Sequence, residues 1–194
     1  MPGRVFNSAF LVDDSGNLVH TYRKNQCADV WGLLPDTTPG SVLTQYLDTF
    51  GEDALFPVAD TPLGRLACLT CYDALFPETY REVAAKGAEV VLLANALPSP
   101  WQTEQPTPWL TIVPQVRSLE NAVVTVNVNQ GGDLAPFQFN GGSGVFDWEG
   151  RIVAQTLQRG EQLVYARVDL AGLREWRERT AQHLGPAHLR TDAY

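Results

Sequence analysis

Apolar and polar positions along the first half of the chain follow two patterns, one typical of strands and one typical of a helix. Residues 6–12 and 18–22 are apolar stretches on either side of the turn sequence Asp-Asp-Ser-Gly-Asn, which predicts a β-hairpin. Residues 63–70 form a short apolar run, and residues 76–84 place apolar side chains at helical spacing. Residues 89–96 are almost continuously apolar, as in a strand buried on both faces. The last three segments together predict a βαβ unit.

The second half of the chain continues the alternation of helices and strands. A helix is predicted over residues 112–120, in which Pro114 is an unfavourable interior residue. The β-branched stretch 122–130 predicts a strand. Three further elements are predicted after it: a hairpin over residues 142–157, a short strand over 164–168 and a charged helix over 170–183. The pattern as a whole indicates the α/β class.

Composition and charge exclude several classes of protein. A chain of 194 residues with 44% apolar residues is enough for one globular domain. Its 14 basic and 22 acidic residues give a net charge of −8, which is not the footprint of a nucleic-acid-binding protein. We find no apolar run of the roughly 18 residues that a membrane span needs and no pattern of a secretory signal. We therefore expect a single domain over residues 1–194, located in the cytoplasm with reduced thiols.

Cys68 and Cys71 form a C-x-x-C pair whose role has to be decided. Cys68 lies inside a predicted strand, and two strand residues three apart point to opposite faces, which disfavours a redox pair. A zinc site needs four ligands at recognisable spacing, and the remaining Cys and His residues are scattered. Cys71 stands where a strand meets a helix, and a helix N-terminus favours a thiolate and offers N–H groups for an oxyanion. An inert cysteine at a buried strand end fits this position equally well.

Four stretches in one order resemble the carbon–nitrogen hydrolase (nitrilase) superfamily. Residues 71–90 resemble its nucleophile segment, with Cys-Tyr-Asp followed by Phe-Pro-Glu, Tyr-Arg-Glu and Gly-Ala-Glu-Val. Residues 21–24, Thr-Tyr-Arg-Lys, look like the segment that carries the family's lysine. Residues 117–130 are similar to a helix and strand ending in Asn-Gln, and residues 141–155 to a Gly-Gly-Ser hairpin. The resemblance extends over most of the chain, which makes it more specific than any one motif.

The resemblance implies an αββα four-layer sandwich and a Glu-Lys-Cys triad that needs no cofactor and no metal. Carried over, Cys71 attacks a carbonyl or nitrile carbon and forms a thioester that water then hydrolyses. Lys24 and the backbone N–H of Tyr72 stabilise the charge of the tetrahedral intermediate. Taken alone, Lys24 reads as a solvated lysine at a strand end, and only its place in the motif indicates the catalytic role. Cys68 becomes a packing residue of the strand that presents Cys71.

The same resemblance indicates the substrate class. The motif Cys-Tyr-Asp favours small amides or carbamoyl compounds over nitriles, because nitrilases tend to have Cys-Trp-Glu there. Leu75 stands where amidase-like members often have arginine, so no substrate carboxylate is expected at that position. Asn95 and Trp101 are the expected substrate-binding residues; Trp101 and Trp109 bracket a proline-rich loop that could rim the site or serve as a rigid connector. The alternative for Asn95 is a cap on a strand-to-loop turn.

One part of the family pattern is absent. The general-base glutamate of the family lies on an early strand ahead of the hairpin, and residues 1–22 contain no glutamate. We therefore expect an incomplete, N-terminally truncated sandwich that lacks early strands and helices, and weak or no activity of the chain alone. The alternative is a catalytically dead fragment that binds a separately encoded N-terminal half. By resemblance, we also expect a homo-oligomer.

Overall fold

The computed structural model describes residues 1–28, 37–98, 108–156 and 160–180. Ten strands and four helices follow one another in these ranges, and their order along the chain is β1 (Ser8–Val12), β2 (Leu18–Arg23), α1 (Leu43–Phe50), β3 (Ala59–Thr61), β4 (Gly64–Thr70), α2 (Pro77–Ala85), β5 (Val90–Asn95), α3 (Trp109–Asn121), β6 (Val124–Asn129), β7 (Gly131–Leu134), β8 (Phe137–Asn140), β9 (Gly144–Phe146), β10 (Ile152–Gln155) and α4 (Leu170–Thr180). Short 3-10 turns occupy Gly40–Val42, Glu52–Leu55 and Cys71–Leu75. No helix in the described ranges is both long and apolar enough to cross a membrane.

A six-stranded mixed sheet forms the centre of the structure, with strand order β10-β9-β6-β5-β4-β3. Strands β4, β5 and β6 are parallel, and the other neighbours pair antiparallel. Helices α2 and α3 are the crossover connections between these strands. Because the three strands run parallel, their carboxyl ends lie at the same edge of the sheet. Thr70 pairs with Ala94 at this edge, and Asn95 pairs with Asn129. In open parallel sheets ligands bind at this edge, so it is the place to look for a site.

The β1–β2 hairpin is a separate two-stranded sheet that packs on the central sheet. The alternation of side chains explains which face it buries. Ala9, Leu11 and Tyr22 turn toward the central sheet and join its apolar core. Phe10 and Val12 turn away from it and are about 60% exposed, at 58% and 62%. Within the described part of the chain, no backbone pairing joins β1 or β2 to the six-stranded sheet, so side chains fix the position of the hairpin on it.

His20 is one of the side chains that attach the hairpin to β4. The imidazole is buried, and its Nε2 accepts a hydrogen bond of 3.3 Å from the backbone N–H of Cys68. Burial lowers the pKa of His20. The lower pKa preserves the neutral ring, which alone has a nitrogen that can accept this bond.

We expect the folded state to lose stability through His20 as the pH falls below the ordinary histidine pKa of about 6.5. The unfolded chain then binds the proton at a higher pH than the folded chain does. The free energy of unfolding therefore decreases as the pH falls. Urea unfolding at about pH 7 and about pH 5 measures this for the wild type and for His20→Gln, whose amide oxygen can accept the bond without titrating. We expect the wild type to lose more stability than the variant; equal losses in both would contradict the assignment.

Most predicted elements are present, and the differences have physical reasons. The predicted strand over residues 164–168 does not form: Val168 packs on the apolar core, but Tyr165 is 83% exposed and the segment pairs with no described strand. Alternating apolar residues predict which side chains pack, whereas a strand also needs a neighbour with free backbone groups. Helix α1 and the β7–β8 hairpin were not predicted. The charged C-terminal helix is described as far as Thr180.

Candidate active site

Cys71 lies at the edge of the sheet where the parallel strands end, immediately after β4. Its φ of 51° is in the left-handed region, which a residue with a Cβ adopts rarely and which is one of the strained conformations that cluster at functional sites; Ala122, at the C-cap of α3, has the same φ. The helix predicted over residues 76–84 is α2, which begins at Pro77, and the 3-10 turn Cys71–Leu75 lies between it and β4. The N–H groups nearest the thiol, including that of Tyr72, therefore belong to the first residues of the 3-10 turn, where they have no partner within the turn.

Cys68 differs from Cys71 in exposure. Its side chain is 4% exposed within the apolar core, and burial raises the pKa of the thiol to about 11. The prediction that Cys68 packs is confirmed. No disulfide joins any of the three cysteines, all of which lie in the described ranges. Within those ranges no three His, Cys, Asp or Glu side chains gather as metal ligands; His183 and His188 lie outside them.

Asp73 connects the 3-10 turn Cys71–Leu75, called the nucleophile turn below, to the β1–β2 hairpin. Its carboxylate is fully buried and accepts three hydrogen bonds: from the Tyr22 hydroxyl at 2.8 Å, from the Gln26 backbone N–H at 2.8 Å and from the Thr70 backbone N–H at 3.0 Å. Burial raises the pKa of Asp73, and the three hydrogen bonds and the charge of Lys24 oppose that rise. The carboxylate thus faces three donors. Its ionised form only accepts hydrogen bonds and therefore matches all of them, whereas a protonated carboxyl would add a donor of its own.

Lys24 is buried directly after β2, with 8% of its surface exposed. This burial excludes the solvated lysine that the sequence left open. The charge of Lys24 is the smallest of the effects that oppose the rise in the pKa of Asp73, so the ammonium lies in the neighbourhood of the nucleophile turn. Burial of an ammonium is costly unless charges or acceptors nearby compensate for it, and the negative charge of Asp73 contributes to that compensation. The backbone N–H of Lys24 donates to the carbonyl of Asn7 at 2.9 Å, which fixes the chain at this point.

A small cavity of about 30 Å³ opens beside Cys71 at the carboxyl edge of the sheet. Asn95, which was expected to bind substrate, is among the lining residues, and Trp109 forms part of the wall. Leu75 also lines it, and the described lining includes no charged side chain. Trp101, the other predicted substrate-binding residue, lies outside the described residues. The cavity is therefore suited to a small, uncharged and largely apolar group.

Asn95 and Asn127 hold the floor of the cavity in place. The Asn95 amide donates to Asn127 Oδ1 at 2.6 Å. Asn95 thus makes the kind of hydrogen bond expected of a cap at a strand end and also lines the cavity. Asn127 Nδ2 in turn donates to the Leu110 carbonyl at 3.3 Å. That carbonyl lies four residues before Pro114, which has no N–H to donate to it. Pro114 is therefore tolerated inside α3 because a side chain from β6 replaces the missing helical bond.

Asn129 brings together two motifs that the sequence presented separately. Its side-chain oxygen accepts from the Leu97 backbone N–H at 2.9 Å, and its amide donates to the Gly141 carbonyl at 2.7 Å. Ser143 accepts from the Asn129 backbone N–H at 3.0 Å. The Asn-Gln end of β6 thus holds both the Gly-Gly-Ser segment and the chain that follows β5. Neither contact was predicted, although both segments had been singled out.

Arg117, which the sequence reasoning left without a role, fastens the far end of the nucleophile turn. Its guanidinium donates to the carbonyls of Ala74 and Leu75 at 3.0 and 3.1 Å and forms an ion pair of 2.9 Å with Glu120. The turn that carries Cys71 is therefore held at both ends, by Asp73 near its start and by Arg117 near its end. The signal for Arg117 was its position as the first residue of the resembling stretch 117–130.

Comparison with solved structures places the fold. A carbon–nitrogen hydrolase from Helicobacter pylori G27 matches the whole chain with a TM-score of 0.79 at 23% identity, and the match covers 65% of that structure. An amidase from Nesterenkonia sp. AN1 matches 90% of the chain with a TM-score of 0.64 at 25% identity over 61% of its length; that structure is a glutamate-to-glutamine variant whose active-site cysteine has added acrylamide. The mixed α/β fold expected from the resemblance is confirmed.

Sequence comparison gives the family. A formamidase from Bradyrhizobium diazoefficiens is 29% identical over 168 residues, which are 86% of this chain and 44% of the formamidase. A deaminated glutathione amidase from Rattus norvegicus is 30% identical over 193 residues, 98% of this chain and 55% of the amidase. The chain thus spans about half the length of these relatives. The family model for carbon–nitrogen hydrolases matches residues 1–178, and the chain belongs to the carbon–nitrogen hydrolase family.

Proposed function

We propose that this chain carries the nucleophile and the oxyanion-stabilising groups of a site that hydrolyses small amides through a thioester at Cys71. The observation that carries the proposal is the presentation of Cys71 on a left-handed backbone beside a small apolar cavity. The family and the amidase and formamidase relatives support an amide as the substrate. Carbamoyl compounds belong to the same proposal, and nitriles fit it less well.

In the proposed reaction the Cys71 thiolate attacks the amide carbonyl carbon, and the carbonyl electron pair moves to the oxygen. Lys24 and the N–H of Tyr72 stabilise that oxyanion. Collapse of the intermediate re-forms the carbonyl and breaks the C–N bond, and the leaving nitrogen takes up a proton and departs as ammonia or an amine. Water then attacks the thioester, releases the carboxylic acid and returns the thiol. The sum is amide plus water giving acid plus ammonia or amine.

We propose that the general base of this reaction comes from polypeptide other than this chain. The described cavity lining includes no carboxylate, and the oxygens of the nearby Asp73 already accept three hydrogen bonds. General acid–base catalysis contributes about 10²–10⁴-fold, so the chain alone is expected to release little or no ammonia from amides. Rapid ammonia release by the purified chain, abolished in Cys71→Ala, would contradict this part of the proposal.

A second candidate function is a catalytically inactive chain that assembles with further polypeptide, such as a separately encoded N-terminal half. The exposed apolar side chains of Phe10, Val12 and Leu18 on the hairpin favour it, because apolar surface of this kind marks an interface. The two candidates differ in the reactivity of Cys71. An inactive assembly protein has no reason to keep that thiol more reactive than Cys27, whereas a hydrolase site does.

We also propose that the chain forms a homo-oligomer through α3. Ile112, Val116 and Leu119 lie on one face of this helix at 42–53% exposure, which is the pattern of a helix with an uncovered apolar stripe. Multi-angle light scattering of the wild type and of Val116→Arg tests it. We expect the wild type to be larger than a monomer and the variant to dissociate, whereas the control Glu178→Arg on α4 retains the wild-type mass. A monomeric wild type would refute the proposal.

The cavity predicts selectivity for uncharged acyl groups. A complex with butyramide is known for the Nesterenkonia amidase, in a variant whose cysteine is replaced by alanine. We expect butyramide to protect Cys71 from alkylation by iodoacetamide. Succinamate has a similar length but ends in a carboxylate, which the described lining cannot pair, so we expect it not to protect. Equal protection by both compounds would contradict the assignment of the cavity as the acyl site.

A further inference from the structure

The two groups proposed to act on the substrate are located on two sheets, and among the described residues no hydrogen bond between backbone groups connects these sheets. Lys24 follows the hairpin strand β2, and Cys71 follows β4 of the six-stranded sheet. The hairpin and the sheet are separate in their strand pairing. The distance between the ammonium and the thiol is therefore set by side-chain contacts across the interface of the two sheets. Those contacts determine whether Lys24 can reach an oxyanion formed at Cys71.

Asp73 makes hydrogen bonds both to the segment around Lys24 and to the residue before Cys71. On the hairpin side, its two oxygens accept from Tyr22 and from the backbone N–H of Gln26, which lie two residues before and two residues after Lys24. On the sheet side, Oδ2 also accepts from the backbone N–H of Thr70, the residue immediately before Cys71. One carboxylate therefore holds the Tyr22 side chain before the lysine, the Gln26 backbone after it, and the backbone of the residue that precedes the nucleophile.

The charge of Asp73 adds to this geometry. A carboxylate can accept all three bonds, and the positive charge of Lys24 acts on it. An asparagine of the same shape offers one oxygen and one NH₂ group, and the latter meets donors that it cannot satisfy. Asp73 itself is completely buried and does not line the cavity, so it does not touch a substrate there.

We infer that Asp73 is a positioning residue that holds Lys24 in register with Cys71. The inference rests on the proposed function, because it assigns a role to Lys24 at the thiol. It concerns a residue that acts through another: we expect loss of Asp73 to allow Lys24 to move relative to Cys71. The effect of replacing Asp73 must therefore depend on the presence of Lys24.

A double-mutant cycle tests this dependence. The measured quantity is the rate at which Cys71 adds acrylamide, followed by mass spectrometry in the wild type, Asp73→Asn, Lys24→Met and the double variant. We expect Asp73→Asn to slow the addition about tenfold, equivalent to about 1.4 kcal/mol of activation free energy. In the Lys24→Met background the same change is expected to have almost no further effect. Independent, multiplicative effects of the two changes would overturn the inference, since they indicate a purely structural role.

Tyr22→Phe keeps the test decisive if Asp73→Asn does not fold. This variant removes one of the three bonds and leaves the charge, and we expect a smaller but measurable slowing that also disappears in the Lys24→Met background. Tyr46→Phe is its matched control: Tyr46 is equally buried and donates one bond of 2.8 Å, but to the carbonyl of Ala54. The control should lower thermal stability without changing the rate.

The outcomes separate this inference from the proposed function. If wild-type Cys71 reacts no faster than Cys27, the proposed function fails. If wild-type Cys71 is fast, and both Asp73→Asn and Tyr22→Phe fold and react at the wild-type rate, the inference about Asp73 fails while the proposed function stands.

Discussion

Replacement of Lys24 by methionine is expected to slow the addition of acrylamide to Cys71 by about 10²–10³-fold, the usual effect of removing one donor from an oxyanion site. The thiolate attacks the β-carbon of acrylamide, and negative charge moves to the amide oxygen, as it does when an amide is attacked at the carbonyl carbon. In the proposed reaction, the buried ammonium of Lys24 stabilises that oxygen. Methionine has a similar length and fits a buried position, so the charge is the main change.

Intact-mass measurements over time give the rate for the wild type and the variant. Lys86→Met is the matched control, because Lys86 forms an ion pair with the fully exposed Asp53 and lies outside the cavity beside Cys71. We expect the control to react at the wild-type rate. A Lys24→Met variant that folds and reacts within about twofold of the wild type would show that Lys24 has no part in stabilising the oxyanion.

Replacement of Arg117 by methionine is expected to lower the free energy of unfolding by about 1–3 kcal/mol for each carbonyl left without a donor. Two carbonyls lose their partner, those of Ala74 and Leu75, and both belong to the turn that begins at Cys71. The turn should loosen at its end, and Cys71 should react more slowly as well. Urea unfolding followed by circular dichroism measures the stability, and acrylamide addition measures the reactivity.

Two further variants serve as comparisons for Arg117→Met. Arg117→Lys retains the charge but not the planar fork that reaches two carbonyls, so we expect an intermediate loss of stability. Arg151→Met removes an arginine whose side chain is 67% exposed, and a surface ion pair contributes only about 0–1 kcal/mol. If Arg117→Met and Arg151→Met cost the same, Arg117 does not fasten the turn.

Local patterns were sufficient to predict the elements that carry the candidate site. The βαβ unit over β4, α2 and β5 follows from an apolar run, a helical repeat and a second apolar run, and Gly87 ends the helix with a φ of 89° as a C′ residue does. The position of Cys71 at the end of a strand followed from the same pattern. These features depend on neighbours in sequence, which periodicity reports directly.

The contacts that organise the site could not be predicted in this way. Asp73 binding Tyr22, Arg117 binding the turn carbonyls and Asn127 replacing the helical bond at Pro114 all join segments far apart in the chain. Spacing in one segment carries no information about a partner in another. The start of the 3-10 turn at Cys71 is an exception, because Thr70 and Asp73 stand in the Thr-x-x-Asp spacing of a helix start.

The measurement that tests the role of Cys71 most directly is the relative rate at which the three cysteines add acrylamide near neutral pH, mapped by mass spectrometry of peptides. Cys27 and Cys71 are both half-buried, so a difference between them reports the chemical environment and not exposure alone. We expect Cys71 to react far faster than Cys27 and the buried Cys68 to react last. Equal rates at Cys27 and Cys71 would contradict the claim that Cys71 is an activated nucleophile.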